Sequence, residues 1–579
     1  MSIRLRPCPK GHTVELDKVC SPQETVTRVR AALAAYGEDV LAETRRIDTG
    51  RLGIPVYLSI CGKTARRIMP TRKQMGKGAS AIQAEASALV ELVERFSYFS
   101  YWQKVLEIEP QTWSSAERAW PGRILPISEI AKSVSDPLPE DQIRTLLDLV
   151  AWRFVPATRL DTGQDVLFPL EWFRKINEFN GSSAGNTSEE SLLQGVCELV
   201  ERHVCAVVDR KRSETPTIDL ASCSDPVLQS LLSAFEREGI IVRLKDFSLG
   251  LPVPTVAALA YDPTTFPERS EIVFTAGTAS TPTKAAIRAL TEVAQLAGDF
   301  ETGSNYEASG LPKFTDLGQI KWLNQGPVVA LSSLPDIGQA DILDELNVLC
   351  RGLGHLDFRA YSVETTHPEL GIPAHYSVVP GFQFRERAIN PSVGLFVGRI
   401  LAEEAPEDQA RDGLAQLSRL YPGASFPLFF QGLLAVRQGC FSEALEAFAQ
   451  SEHGLEQQDD QALAAFYQGY AMSREDRWTC SMPHLDRAIQ LCSEVKEYFN
   501  LRGVAKFKLG EYAGAEQDFQ RALDLDSGSA MDLANLGLCV KLQGRTDEAA
   551  ALLRSALDLD PSLDFARTHL HELESLEAT

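Results

Sequence analysis

The sequence predicts a mixed α/β (α+β) domain over residues 1–402, followed by an all-α solenoid of helical repeats over 403–579. Three observations predict it. Short β-rich runs alternate with helical stretches through the first 400 residues. Small residues recur with a period of 34 near the C-terminus. A chain of 579 residues is also too long for one hydrophobic core.

With 44% hydrophobic and 23% charged residues, the composition is that of a folded protein rather than a disordered one. Lys and Arg number 57 against 79 Asp and Glu, a net charge of −22. That excludes a general binder of nucleic-acid backbones and leaves room for a local basic pocket. The 11 cysteines form no CxxC pair, which argues against a disulfide framework or a zinc ribbon and suits a reducing compartment. Cys8, His12 and Cys20 offer three metal ligands without a fourth and read as part of an N-terminal loop. Residues 1–7 lack an apolar signal core, and no long apolar run follows. The expectation is a soluble cytoplasmic protein with neither a membrane nor a nucleic-acid partner.

In the first domain, residues 240–247, 253–261 and 272–275 read as strands. Residues 180–186, Asn-Gly-Ser-Ser-Ala-Gly-Asn, read as a small-residue loop whose amides, with the start of the next helix, make a weak anion site. The string Glu-Leu-Val-Glu-Arg occurs twice, at 91–95 and at 198–202. At about 100° per residue, Ser87, Glu91 and Glu94 share one helical face, and so do Asn186, Glu190, Glu198 and Glu201 if that helix is continuous. A third helix carries Arg288, Glu292 and Gln295 at the same spacing among Ile287, Ala289, Leu290, Val293 and Ala294, so its polar stripe is embedded in apolar surroundings.

Several buried carboxylates in one place demand countercharge, from cations or arginines. Glutamates grouped with Asn and Gln are hard oxygen ligands of the kind that suit Mg²⁺ shared with a nucleotide's phosphates. For any one helix, pairing of each glutamate with Lys or Arg on a solvated face remains the alternative. Three matched stripes favour a common site. No GxxxxGK[ST], GxGxxG or kinase motif is present, and Gly76-Lys77-Gly78 is too short for a P-loop, so a nucleotide would bind by another architecture.

In the second region Gly503 recurs as Gly537, Gly510 as Gly544, Ala515 as Ala549 and Ala522 as Ala556, each 34 residues on. Gly469 and Ala488 lie one period earlier, and Gly432, Gly439, Phe441, Ala444 and Phe448 keep the same internal spacing. This region resembles the tetratricopeptide repeat family over residues 425–575, in about four repeats, with Asp476 and Arg502 as departures that weaken individual repeats. Such arrays bind partners and seldom carry chemistry.

The first domain resembles the YcaO family over residues 10–400. The first of the family's three motifs matches Gly76–Ser80 leading into Ser87, Glu91, Glu94 and Arg95; the second matches residues 180–186 with Glu190, Glu198, Glu201 and Arg202; the third matches Arg288, Glu292 and Gln295. The resemblance implies ATP and Mg²⁺ as cofactors. Glu91, Glu94, Glu190, Glu198 and Glu201 would hold the metal and polyphosphate. Ser87, Ser183, Asn186, Arg202, Arg288, Glu292 and Gln295 would complete the pocket. Lys18 and Thr25 are similar to a Lys and Ser pair that reaches the nucleotide in some members.

The implied activity is ATP-dependent O-phosphorylation of a peptide or protein backbone amide, leading to thioamidation or cyclodehydration, with no side-chain nucleophile required. The repeats would recruit the substrate or a protein partner, and a homodimer is compatible with the reading. The chain's last residues, Leu576 to Thr579, are not the Pro-rich tail of azoline-forming members, and a CxxC-bearing partner domain is missing, which demotes the azoline outcome. The alternative is an ATP-binding accessory or scaffold factor for a protein-modifying enzyme such as a ribosomal-protein methylthiotransferase.

Overall fold

A computed structural model describes residues 3–48, 50–134, 136–297, 311, 314–385, 391–526 and 528–577. The final residues 578 and 579 of the expected chain end therefore lie outside the described residues. The chain divides into two compact units, one of residues 1–144 and 151–392, the other of residues 145–150 and 393–579. The helix Val393–Glu403, which the sequence analysis ascribed to the first domain, groups with the second unit. Among the described residues no helix is long and apolar enough to cross a membrane.

Among the described residues the first unit holds three sheets. The smallest is antiparallel, in the order Leu41–Arg46, Val56–Cys61, Lys73–Lys77. A second, five-stranded sheet runs Val273–Thr278, Thr255–Tyr261, Ile241–Asp246, Thr217–Ile218, Val328–Val329, antiparallel but for its last pair. The third is fully antiparallel in the order Gln164–Pro169, Phe154–Arg159, Tyr361–Glu364, Ala374–Val378, Ser182–Ala184. The strands expected at 240–247, 253–261 and 272–275 are all in the second sheet.

Why the strand Thr255–Tyr261 is apolar from Val256 to Ala260 follows from its two neighbours. Val256, Ala258 and Ala260 face a cluster with Leu228, Phe235, Ile287 and Leu290, from the helices Pro226–Arg237 and Pro282–Ala297. Ala257 and Leu259 face Val200 and Val204 of the helix Ser188–Lys211. The period-two alternation therefore divides one strand between two apolar layers.

Three long helices carry the expected polar stripes: Ala81–Val105, Ser188–Lys211 and Pro282–Ala297. Each is seated on a strand through a glycine that leaves no room for a side chain. A Cβ on Gly76 would lie 2.1 Å from Ala88 N, and one on Gly277 would lie 2.5 Å from both Ala285 O and Ala289 N. On the middle helix, a Cβ on Gly195 would lie 2.6 Å from Ser183 Oγ.

The loop expected at 180–186 is a correction. Its centre, Ser182–Ala184, is an edge strand paired with Ala374–Val378. Its amides are consumed by the protein: Gly181 N donates to Glu198, Ser182 N to Phe179 O, and Gly185 N to Pro373 O. Thr187 caps the following helix by accepting from Glu190 N. The anion cradle is not available in that form, because antiparallel pairing and capping satisfy the donors first.

Among the described residues the second unit begins with the helices Val393–Glu403 and Glu407–Leu420, continues with four helical hairpins, Phe426–Arg437 with Phe441–Glu452, Gln458–Arg474 with Trp478–Leu491, Lys496–Lys508 with Tyr512–Leu525 and Ala530–Leu542 with Thr546–Leu559, and ends with the helix Asp564–Glu577. Gly432, Gly469, Gly503 and Gly537 each abut the partner helix, where a Cβ would lie between 2.6 and 3.1 Å from Phe448, Leu485, Phe519 or Leu553.

The two departures in the repeats are accommodated rather than simply weakening. Asp476 adopts φ +58 at the hairpin turn where Gly439, Gly510 and Gly544 have φ between +74 and +83, a conformation Asp tolerates better than most residues. Arg502 makes two hydrogen bonds to the buried Asp518, a bidentate pair, and also reaches Asp486, while Lys506 reaches Asp518 as well. Arg502→Ala leaves Asp518 with Lys506 alone, and should lower stability by about 2 kcal/mol. Faster hydrogen exchange in the helix Tyr512–Leu525 would report the loss; unchanged exchange would show the pair to be dispensable.

Candidate nucleotide site

The three stripes converge. A cavity of about 510 Å³ is lined by Lys18, Thr25, Ser87, Glu91, Glu94, Asn186, Glu190, Glu198, Glu201, Arg202, Arg288, Glu292 and Gln295. Of the expected residues only Ser183 is absent from its wall. Ser183 is buried behind the edge strand, where its hydroxyl and its carbonyl both meet Ser191 Oγ, and Ser191 in turn meets His375 Nδ1 at 3.0 Å. Alternation along the strand explains this: Ser182 and Ala184 face the cavity, and Ser183 points away.

One wall is built by the N-terminal segment. Ser21 caps the helix Pro22–Tyr36 through a capping box with Glu24, which fixes Thr25 in its first turn. Thr25 Oγ1 accepts from Asn186 Nδ2 at 3.0 Å, Asn186 Nδ2 also donates to Glu190 at 3.1 Å, and Lys18 pairs with Glu190 at 3.2 Å. Lys18 and Thr25 are thereby brought to the start of the second site helix. The cysteines of the N-terminal segment serve locally, Cys8 against Thr187 and Cys20 against Thr25.

The five glutamates expected to hold metal line the cavity, but among the described residues no three His, Cys, Asp or Glu side chains gather as a ready-made ion site. They face protein donors instead. Glu94 pairs with Arg95 at 3.4 Å and Glu198 with Arg202 at 3.6 Å, while Glu201 accepts from Thr278 N at 2.8 Å. Glu292 is ion-paired with Lys77.

Electrostatics follow from crowding and burial. Burial raises Glu94 to about 8; Arg95 opposes the shift, and Glu198 and Glu91 add to it. Burial also raises Glu91, against Arg95 and Lys77, and Glu201, against Arg288 and Arg202. Lys77 moves the other way, to about 7, through burial and then the Arg288 guanidinium, with Glu201 and Glu91 opposing. Among the described residues two buried guanidinium atoms of the cavity, Arg202 Nε and Arg288 Nε, have no hydrogen-bond partner, while Arg95 Nη1 has only its ion pair with Glu94. Unpartnered N–H donors suit phosphate oxygens, and carboxyls held above their ordinary pKa suit a divalent cation. The donor set fits a magnesium–polyphosphate group.

Lys77 and Arg95 fall within the first matched motif but carry no assigned role there, and Gln194 falls in none; all three line the cavity. Arg95 was legible, because it is the counterpart of Arg202 in the duplicated string. Lys77 stands inside the Gly76–Ser80 segment of that motif, but no role attaches to it there, because Gly76-Lys77-Gly78 is too short for a phosphate loop. Gln194 accepts from Arg288 Nη1 at 3.0 Å and had no sequence signal.

A mixed α/β unit with a polar cavity between three striped helices, joined in the same chain to a helical-repeat unit, defines a YcaO-type protein with tetratricopeptide repeats. Residues 75–383 match the family described as YcaO cyclodehydratase, ATP- and Mg²⁺-binding, and residues 497–528 match the tetratricopeptide repeat. The chain belongs to the YcaO family.

An uncharacterised protein of Methanothermobacter thermautotrophicus is 26% identical over 380 residues, covering 62% of this chain and 94% of that one. The ribosomal protein S12 methylthiotransferase accessory factor YcaO of Escherichia coli is 28% identical over 211 residues, covering 32% of this chain and only 35% of that protein. Among solved structures, a heterocyclase in complex with substrate and cofactor shares the fold at a TM-score of 0.51 and 20% identity, covering 66% of this chain and 55% of that one.

Proposed function

We propose that the protein uses ATP and Mg²⁺ to activate a backbone amide of a peptide or protein by phosphorylating its oxygen, so that a nucleophile can then replace that oxygen. Thioamidation and cyclodehydration are the outcomes this chemistry reaches. The observation that carries the reading is one cavity in which three helices set glutamates together and two of them add the unpartnered guanidinium donors Arg202 Nε and Arg288 Nε. An amide is a poor electrophile with a poor leaving group. Attack of its oxygen on the γ-phosphorus expels ADP, and later loss of inorganic phosphate completes the exchange, so one transfer removes both defects.

In this reading Arg95, Arg202 and Arg288 hold phosphate oxygens, and Glu91, Glu94, Glu190, Glu198 and Glu201 hold the metal. Mg²⁺ supplies Lewis-acid stabilisation of charge on the transferred group. Lys18 and Thr25, fixed by Glu190 and Asn186, close the N-terminal wall. The repeats recruit the substrate or a protein partner.

A second reading, an ATP-binding accessory factor for a protein-modifying enzyme, is favoured by the likeness to the Escherichia coli accessory factor. One experiment addresses both. Purified protein mixed with MgATP should bind nucleotide and, with its substrate, release phosphate. Glu198→Gln should weaken Mg²⁺-dependent binding roughly 10- to 100-fold, the worth of one charged interaction. Tight binding without turnover, even with the partner supplied, would select the accessory reading. Absence of nucleotide binding would defeat both.

A further inference from the structure

We propose that a basic strip of Lys63, Arg66, Arg67, Arg72 and Lys73 docks an acidic segment of the peptide or protein substrate beside the cavity; the assignment rests on the reading of the cavity as the place where a backbone amide is activated. From Gly62 to Gly78 the sequence holds six Lys and Arg and no Asp or Glu, in a chain whose net charge is −22. Folding gathers these charges. Lys63, Arg66 and Arg67, at i, i+3 and i+4, share the outer face of the helix Lys63–Ile68. Ala65 and the following Met69 are packed with Leu89, Leu92 and Val93 of the helix Ala81–Val105, which leaves the basic face to solvent. Cys61 joins the two halves of the strip: its carbonyl accepts from Arg66 Nε, and its N–H donates to Arg72 O. All five basic residues are exposed.

The strip leads into the cavity. Lys73, Met75 and Lys77 lie on one face of their strand and all line the wall, over about 13 Å at about 3.3 Å per residue. The charges on the strip are also unspent. Among the described residues none of the five forms an ion pair. The neighbouring carboxylates of Asp39 and Glu38 are taken up by Lys63 N and the Thr64 hydroxyl. A peptide whose backbone amide enters the cavity arrives as an extended chain, and residues flanking that amide cross the rim where Lys73 lies. The sign of the strip selects an acidic flank. The net charge of the whole chain does not cancel it, because exposed charges beyond about 8 Å are screened at physiological salt. A long nucleic acid, by contrast, would overlie acidic surface as well and be repelled. The alternative is a solvated face that binds nothing.

Fluorescein-labelled octaglutamate and octathymidine, titrated by anisotropy without nucleotide, separate these cases. Octaglutamate should bind the full-length wild type, and raising the salt from about 0.05 to about 0.5 M should weaken it by roughly 10-fold. Arg67→Glu combined with Arg72→Glu should weaken octaglutamate by roughly 10-fold or more and MgATP, measured separately, by less than about 2-fold. Arg474→Glu combined with Lys508→Glu makes the same change of net charge in the helical repeats and should leave octaglutamate binding unchanged. Octaglutamate that fails to bind, is indifferent to salt, or weakens equally in both double variants overturns the proposal. A matching loss of MgATP in the first variant also overturns it, because general distortion acts on every ligand. Octathymidine held more tightly than octaglutamate, and lost in the first variant, would give the strip to nucleic acid instead. Wild-type protein that binds octaglutamate but no MgATP would remove the ATP reading, and with it the substrate role of the strip; every other failure leaves that reading standing.

Discussion

Replacing Gly76 or Gly277 by alanine is expected to unseat a site helix and to remove nucleotide binding with it. The added Cβ meets backbone atoms at 2.1 Å in the first case and 2.5 Å in the second, and a backbone cannot rotate aside as a side chain can. Overpacking of this kind costs about 3 kcal/mol, at the upper end of its usual range because whole elements must separate. Gly354→Ala is the matched control. It lies in the helix Ile342–His355 with nothing within 4 Å of its Cβ position, so it should be neutral or stabilise by up to about 0.5 kcal/mol. Thermal unfolding of the three variants with and without MgATP reads the difference. A Gly277→Ala protein that melts with the wild type would show that helix Pro282–Ala297 is not located by this contact.

Those glycines also mark the limit of what the sequence discloses. The stripes at 87–94, 190–201 and 288–295 are legible because a helix converts fixed spacing into a shared face, whereas Asn186 lies ahead of the helix Ser188–Lys211 and reaches the cavity from the segment before its cap. The duplicated string is informative for the same reason, and Arg95 belongs with Arg202 on that ground. Which strand a helix rests on is a long-range fact. Gly76 stands in a matched motif without a stated reason and Gly277 reads as an ordinary glycine until the chain is folded around them. Ser183 failed for a different reason: its strand exists only by pairing with Ala374–Val378, nearly two hundred residues away, and that register turns it from the cavity. In the repeats the period itself encodes the neighbours, so Gly503, Phe519 and Ala522 were readable directly, whereas the Arg502–Asp518 pair that stabilises a departure from the pattern was not.

Magnesium-dependent nucleotide binding is expected to strengthen as the pH rises toward 7, by up to about tenfold per unit where one proton must leave a ligating carboxyl. The group responsible is Glu94, held at about 8 by burial against the opposing Arg95 charge. A metal ion must displace that proton, so acid competes with it. Lys77, held at about 7, acts oppositely in the alkaline direction by losing its charge, and the steep limb of the profile should therefore end near neutrality. Stability of the protein alone follows with the reverse sign. Between the ordinary glutamate value of 4.5 and about 8, the folded state keeps a proton on Glu94 that the unfolded state has lost, so this contribution is complete below 4.5 and disappears as the pH rises through 8. His375, held at about 3 by burial, works the other way below 6.5, which is why total stability is not the readout. The informative quantity is the difference between Glu94→Gln and the wild type. Without metal, the variant should gain stability relative to the wild type steadily from pH 5 to 8, while losing Mg²⁺-dependent nucleotide binding. A pH-independent difference would mean that the Glu94 carboxyl is already ionised against Arg95, and the cavity would then hold its charges ready paired rather than waiting for a cation.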